Sequence, residues 1–367
     1  MFGGLPKLFD RSFFIGFFLP ATLLFSGLAA SVLIFVDIND KARNFFLEKN
    51  VFGATLVIVL IWLIAILLMA INRPIIRLLE GYGRRNPFRL FLPMHKKEFE
   101  QQILPRLGKL EKIIYARKRG VKEPDQEENF RLLLWEAVNT YPESGDLVLS
   151  TRLGNVMRAY ERYPVVVYGI EAIVLWPRLA MILPEEVRNR IREGEALFHF
   201  AVNVLFTGVT TLLVYVVLAA NAFPVRGISS FGDSWPIVLI SAFSAWFGHW
   251  LLPGAARQRG EQVKSVFDLY RGTLAEHLGF QLPRTEQAER KMWELISRRM
   301  TFRISEDFPT LDQFRKTEVA KSVDRRHKLL REDVSNEGDK TELDKESTDV
   351  EYGTNEDAEK IASDDEA

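Results

Sequence analysis

Four stretches without a formal charge constrain this chain more than anything else in it. Residues 12–36, 51–71, 196–220 and 235–252 contain no Lys, Arg, Asp or Glu over 25, 21, 25 and 18 positions. A bilayer core of about 30 Å needs about 20 helical residues at about 1.5 Å each, so all four are long enough to cross it, the last barely. The fold class expected is therefore an all-α integral membrane protein: four transmembrane helices in two hairpins, a cytoplasmic helical domain, and a disordered acidic C-terminal tail. The first run follows Lys7 and Arg11 in the manner of a secretory signal. It exceeds the usual signal core of about 7–15 residues, and reads as a retained span.

Orientation follows from where Lys and Arg collect beside the spans. With residues 1–11 cytoplasmic, the outer loops 37–50 and 221–234 carry four cations, Lys41, Arg43, Lys49 and Arg226, against fifteen on the inner flanks. Segments 72–195 and 253–330 are then cytoplasmic, as are both termini, and the protein is expected in the cell (plasma or inner) membrane. One stretch competes with this topology: residues 165–183 have a spanning length. They include Glu171 and Arg178, each costing about 2.5–3.5 kcal/mol at mid-span, and a fifth span would export the charged C-terminal region. The expectation is a cytoplasmic helix broken near Trp176 and Pro177, buried, interfacial or re-entrant.

Charge divides the chain unequally. Residues 331–367 hold 15 acidic and 4 basic residues, so this tail is net −11 and the remainder net +11. The tail has almost no large apolar residues and is expected to be disordered. The basic flanks call for a bilayer with anionic headgroups at the inner face, at about 1 kcal/mol per nearby cation. No nucleic-acid-binding signature accompanies the charge, so nucleic acid is not an expected partner.

Helical periodicity runs through the rest. Residues 94–120 place Phe99, Ile103, Leu107, Leu110 and Ile114 on one face with a kink expected at Pro105; 125–141 place Phe130, Leu133, Leu134 and Val138 on another. Ser150 or Thr151 caps a third helix with Leu153, Val156, Met157 and Tyr160 in register, stopped by Pro164. Residues 146–149 read weakly as a strand. Val263, Val266, Phe267, Tyr270 and Leu274 form a further stripe, as do Met292, Trp293, Ile296 and Met300.

No motif announces chemistry. There is no cysteine, and no phosphate loop, dinucleotide fingerprint, HExxH or GxSxG, so no catalytic residue, cofactor or metal site is assigned and a non-enzymatic role is expected. The GYG at residues 81–83 lies outside any span and reads as a helix-ending turn, not a selectivity filter. Two sets of residues remain as candidates. The first is a polar membrane face: His199, Asn203, Thr207 and Thr210 share one side of the third span, with Ser241 and His249 on the fourth. Helix pairing, with the fourth span opposite, is the leading account of that row, and a hydrated path the alternative. The second is a cytoplasmic patch for a ligand or partner, built from Arg152, Arg158, Tyr160, Glu161, Arg162, Glu171, Trp176 and Arg178. Two functions follow as expectations: an anchoring and interaction module that docks a cytoplasmic protein, or a homo-oligomeric small-ion channel or transporter using the polar face.

Overall fold

The computed structural model describes residues 10–36, 51–109, 127–226, 234–303 and 308–315. The expected tail, 331–367, and the expected outer loop 37–50 lie outside them, as does half of the other expected outer loop, 221–234. Among the described residues the chain is helical and without strands, and four helices are long and apolar enough to cross a membrane. They are α1 (Arg11–Phe35), α2 (Val51–Glu80), α7 (Glu185–Arg226) and α8 (Trp235–His277).

Three of these helices outrun their apolar stretches. Helix α2 has 30 residues, α7 has 42 and α8 has 43, or about 45, 63 and 65 Å at 1.5 Å per residue. Helix α8 continues through Pro253, so the stripe from Val263 to Leu274 belongs to the same helix as the apolar stretch and not to a separate one. Phe13, Phe17, Ala21 and Leu24 of α1 pack on Ile61, Ala65 and Leu68 of α2. Farther along, Phe35 meets Tyr215 and Ala219 of α7.

Proline chemistry shapes α1. Pro20 has no N–H to give the Gly16 carbonyl four residues earlier, and its ring crowds that oxygen. The helix widens there into a π turn, Phe14–Phe18. Pro105 has the same effect: a π turn at Phe99–Ile103 precedes it, which is the form the expected kink takes.

Between α2 and α7 lie a 3₁₀ turn (Pro87–Phe91), α3 (Leu92–Glu98), α4 (Glu127–Thr140), α5 (Arg152–Tyr168) and α6 (Ala172–Ile182). Phe99, Ile103, Ala137, Tyr141 and Val148 form one buried cluster. Leu133 and Val138 face outward, correcting the expected apolar face of α4; its inward face is the smaller one carrying Ala137. Thr151 caps α5, its Oγ1 accepting from the Gly154 N–H at 3.0 Å. Ser150 instead donates to the Gly81 carbonyl at 3.1 Å.

Two further expectations are corrected. Residues 146–149 are no strand: Gly145–Leu147 is a 3₁₀ turn, and Asn155 occupies both the N–H and the carbonyl of Leu149, at 2.6 and 3.1 Å. Pro164 does not stop α5, nor does Pro177 break α6. The break is at Gly169, whose φ of 76° is a left-handed conformation that side chains resist. Its N–H and that of Ile170 return to the Val165 and Pro164 carbonyls, and α5 and α6 meet there at 86°.

The chain divides into two compact units, residues 1–271 and 272–367. The second begins with the last turn of α8, which Gly279 (φ 83°) ends, and continues with α9 (Glu286–Phe302) and α10 (Phe308–Asp312). Thr285 caps α9, and a single bridge pairs Phe280 with Arg315. Met292, Trp293 and Ile296 on α9 and Leu311 on α10 are buried.

Candidate functional site

The polar membrane face is mostly helix contact. Asn203 is fully buried, and its Nδ2 donates at 2.8 Å to the Gly16 carbonyl, the oxygen that Pro20 leaves without an α-helical donor. His199 lies beside the same turn, 5.3 Å from the Phe17 ring, where a Cβ on Gly16 would approach its own Cβ to 3.3 Å. Thr207 donates to the Val204 carbonyl of its own helix, and Thr211 fills the space beside Gly27. His199 and Asn203 thus meet α1, which corrects the expected α8 partner at those two positions, whereas Thr207 lines a cleft bounded by both α1 and α8.

Helix α8 is met through small residues instead. A Cβ on Gly208 would lie 2.5 Å from the Ala245 nitrogen and 2.7 Å from the Ser241 carbonyl. One on Gly248 would lie 2.5 Å from the Leu205 nitrogen and 2.9 Å from the Ala201 carbonyl. Ser241 is buried in this contact, Thr210 half-buried and His249 exposed, so His199 and His249 do not share a face. Among the described residues no three His, Asp or Glu side chains converge to hold a metal ion.

Removing the Asn203 amide tests the α1 contact. Asn203→Leu leaves the π turn of α1 without its interhelical donor, at about 0.6–1.7 kcal/mol for such a bond between helices in a bilayer. The thermal midpoint in nanodiscs should fall; an unchanged midpoint would show that the bond contributes nothing.

The cytoplasmic patch expected from sequence separates into three places. Arg158, Tyr160 and Glu161 face the seam where α5 meets the end of α2 and the middle of α8. Arg152 and Arg162 turn toward Glu136 and Glu143, with Arg162 bonding Glu143 from two nitrogens at 2.7 Å. Glu171, Trp176 and Arg178 belong to α6 and its entry, where the Trp176 ring lies 6.0 Å from that of Phe267 of α8, tilted by 44°, and Arg178 returns to the Val174 carbonyl.

The seam is the most chemically loaded of the three, and its centre is a residue outside the expected set. Glu80 ends α2, nine residues past the apolar stretch, and is buried at 7 % exposure. Gly154 permits this: a Cβ there would lie 2.0 Å from the Glu80 carbonyl oxygen, so only glycine lets the first turn of α5 sit on the last turn of α2. Burial and then the Glu161 charge raise the Glu80 carboxyl to about 7, outweighing Arg259, Arg77 and Arg158. Glu161 is raised by burial as well, against the pull of Arg158 and Arg259.

Around this pair the cations are shared. Arg158 is 3.9 Å from Glu161 and lies over the Tyr82 ring at 5.4 Å. Tyr82 is pushed up to about 12 by burial first. Arg259 of α8 is 3.3 Å from Glu195 and lies over the Phe198 ring. Tyr160 packs against Gly260, where a Cβ would come within 2.7 Å of its ring.

A second cluster locks α5 to α8. Both Tyr163 and Tyr168 donate to the Asp268 carboxylate, at 3.0 and 2.8 Å, and burial raises both phenols. Arg271 lies 4.3 Å over the Tyr168 ring, and buried Lys264 donates to Asn139 and Glu261. Glu80, Tyr82, Arg259, Asp268 and Lys264 lie outside the expected set, and the sequence signal that could have pointed to them is the pair of glycines, Gly154 and Gly260, at which their helices come together. No protein-family model matches this chain, and no curated protein or solved structure matches it either.

Proposed function

We propose that the chain is a multi-pass protein of the cell membrane with both termini cytoplasmic, a non-enzymatic module that presents its 72–195 helices to a cytoplasmic protein partner. The observation that carries this reading is the length of α7 and α8. Each runs unbroken from its apolar stretch into the charged part of the chain, and α5 and α6 are fastened to that continuation by Asp268 and by the Trp176–Phe267 contact. A bilayer about 30 Å thick leaves about half of each helix outside, so the spans serve as a stiff mount. On the mounted part, Ile173, Pro177 and Met181 of α6 recur every four residues on one exposed stripe beside Arg178, the pattern of an apolar docking row.

The homo-oligomeric ion conduit is the second reading. It draws on a cleft of about 330 Å³ between α1, α7 and α8, with Ser26, Thr207, Thr211, Ser241 and Ser244 among its lining. Against it, Thr207 and Ser244 are turned to backbone carbonyls of their own helices, leaving few hydroxyls to replace an ion's water.

One preparation separates the two. Protein crosslinked in native membranes should yield a discrete adduct that Ile173→Glu with Met181→Glu abolishes while membrane insertion is unchanged. The same protein in liposomes should pass no ion flux across a range of voltage and pH. Measurable flux with no adduct would overturn the docking reading.

A further inference from the structure

We propose that residues 84–98 form a surface element that lies on anionic lipid headgroups at the inner end of α2. The inference rests on the reading above that α2 crosses the bilayer and emerges on the cytoplasmic side. Just past its turn at Gly81–Gly83, the chain places Leu90, Phe91 and Met94 outward at 85, 50 and 57 % exposure. The opposite side is inward, with His95 at 8 % and, just past the end of the segment, Phe99 at 2 %.

Charge says what covers the outward side. Between residues 81 and 97 there is no Asp or Glu, whereas Arg84, Arg85, Arg89, Lys96 and Lys97 supply five cations around the apolar points. Apolar side chains ringed by Lys and Arg are the composition of helices that lie in the headgroup layer and draw on anionic lipid.

Position says which membrane. Asn86 donates to the Leu78 carbonyl at 2.8 Å and the Tyr82 carbonyl at 3.1 Å, and accepts from the Phe88 N–H at 2.9 Å. The segment therefore starts against the last turns of α2. Leu78 is seven residues past the apolar stretch, about 10 Å along the axis, and the headgroup layer occupies about 5–8 Å of that. Long basic side chains bridge the remaining gap with their heads among the phosphates.

Because the chain has no cysteine, a single introduced thiol reports one place in the full-length protein. Leu90→Cys, Met94→Cys, Leu63→Cys in mid-span and Glu136→Cys on α4 would each carry a fluorophore, with the protein in phosphatidylcholine vesicles containing about one-quarter phosphatidylglycerol. The 90 and 94 labels should be quenched by a shallow lipid-borne quencher and shielded from iodide, the 63 label by a deep one, and the 136 label by iodide alone. Omitting phosphatidylglycerol, or changing the five cations to Gln, should lower the shallow quenching about two-fold or more. Iodide quenching at 90 and 94 with lipid quenching at 63 would overturn this inference alone and leave the surface for an acidic protein. Insensitivity to charge would overturn its anionic-lipid part. Loss of lipid quenching at 63 would overturn the spanning reading too.

Discussion

Gly208→Ala with Gly248→Ala should lower the thermal midpoint in nanodiscs by several degrees, while Gly254→Ala on the same helix should leave it level or raise it. Lipid offers no hydrophobic drive to hold α7 against α8, so their association rests on close packing of backbones. The two glycines supply that packing: each would place a Cβ 2.5 Å from a backbone nitrogen of the other helix, where no rotamer can relieve the overlap. The helices must move apart, and overpacking of this kind costs about 1–3 kcal/mol per site. The two sites lie in one interface, so their effects will not simply add. Gly254 has nothing within 4 Å of its notional Cβ, and there alanine contributes only its better helix propensity, up to about 1 kcal/mol. Equal responses at all three positions would show that the α7–α8 contact is not what the glycines serve.

How much of this was legible beforehand depended on the range of the interaction. The four long apolar helices were, because charge-free runs of about 20 residues have few other uses, and so were the stripes of α5 and α9, where burial follows helical periodicity. Helix ends were less so. Pro164, Pro177 and Pro253 all sit inside helices, and the break came from Gly169, since a proline costs one hydrogen bond that tertiary packing offsets, whereas a left-handed residue redirects the chain. Asn203 was visible as an odd residue, but not its partner: that required knowing that Pro20 displaces the Gly16 carbonyl and that α1 lies alongside α7. The seam was least visible. Glu80 and Glu161 are 81 positions apart, and nothing local distinguishes either from the many carboxylates on solvated helix faces.

That seam should make stability depend on pH, and Glu80→Gln should remove most of the dependence. The folded carboxyl titrates at about 7 against an ordinary 4.5, so the folded state binds the proton more tightly than the unfolded one. Stability is then full below about pH 4.5, falls as pH rises toward 7, and stays at its lower level above. The shift corresponds to about 3 kcal/mol, at about 1.36 kcal/mol per pH unit, an upper figure because Arg158 and Arg259 can reorient toward an ionised Glu80. Glutamine keeps the shape without the charge, so the variant should be more stable than the parent at pH 8 and equal to it at pH 4.5. Arg158 and Arg259 retain Glu161 and Glu195 as partners, so the substitution strands neither cation. Glu161, raised by the same burial, should respond in the same direction. Thermal midpoints of parent and Glu80→Gln measured from pH 4.5 to 8.5 decide the matter: parallel curves would mean that Glu80 is ionised throughout, and that the end of α2 is wetter than its packing against Gly154 implies.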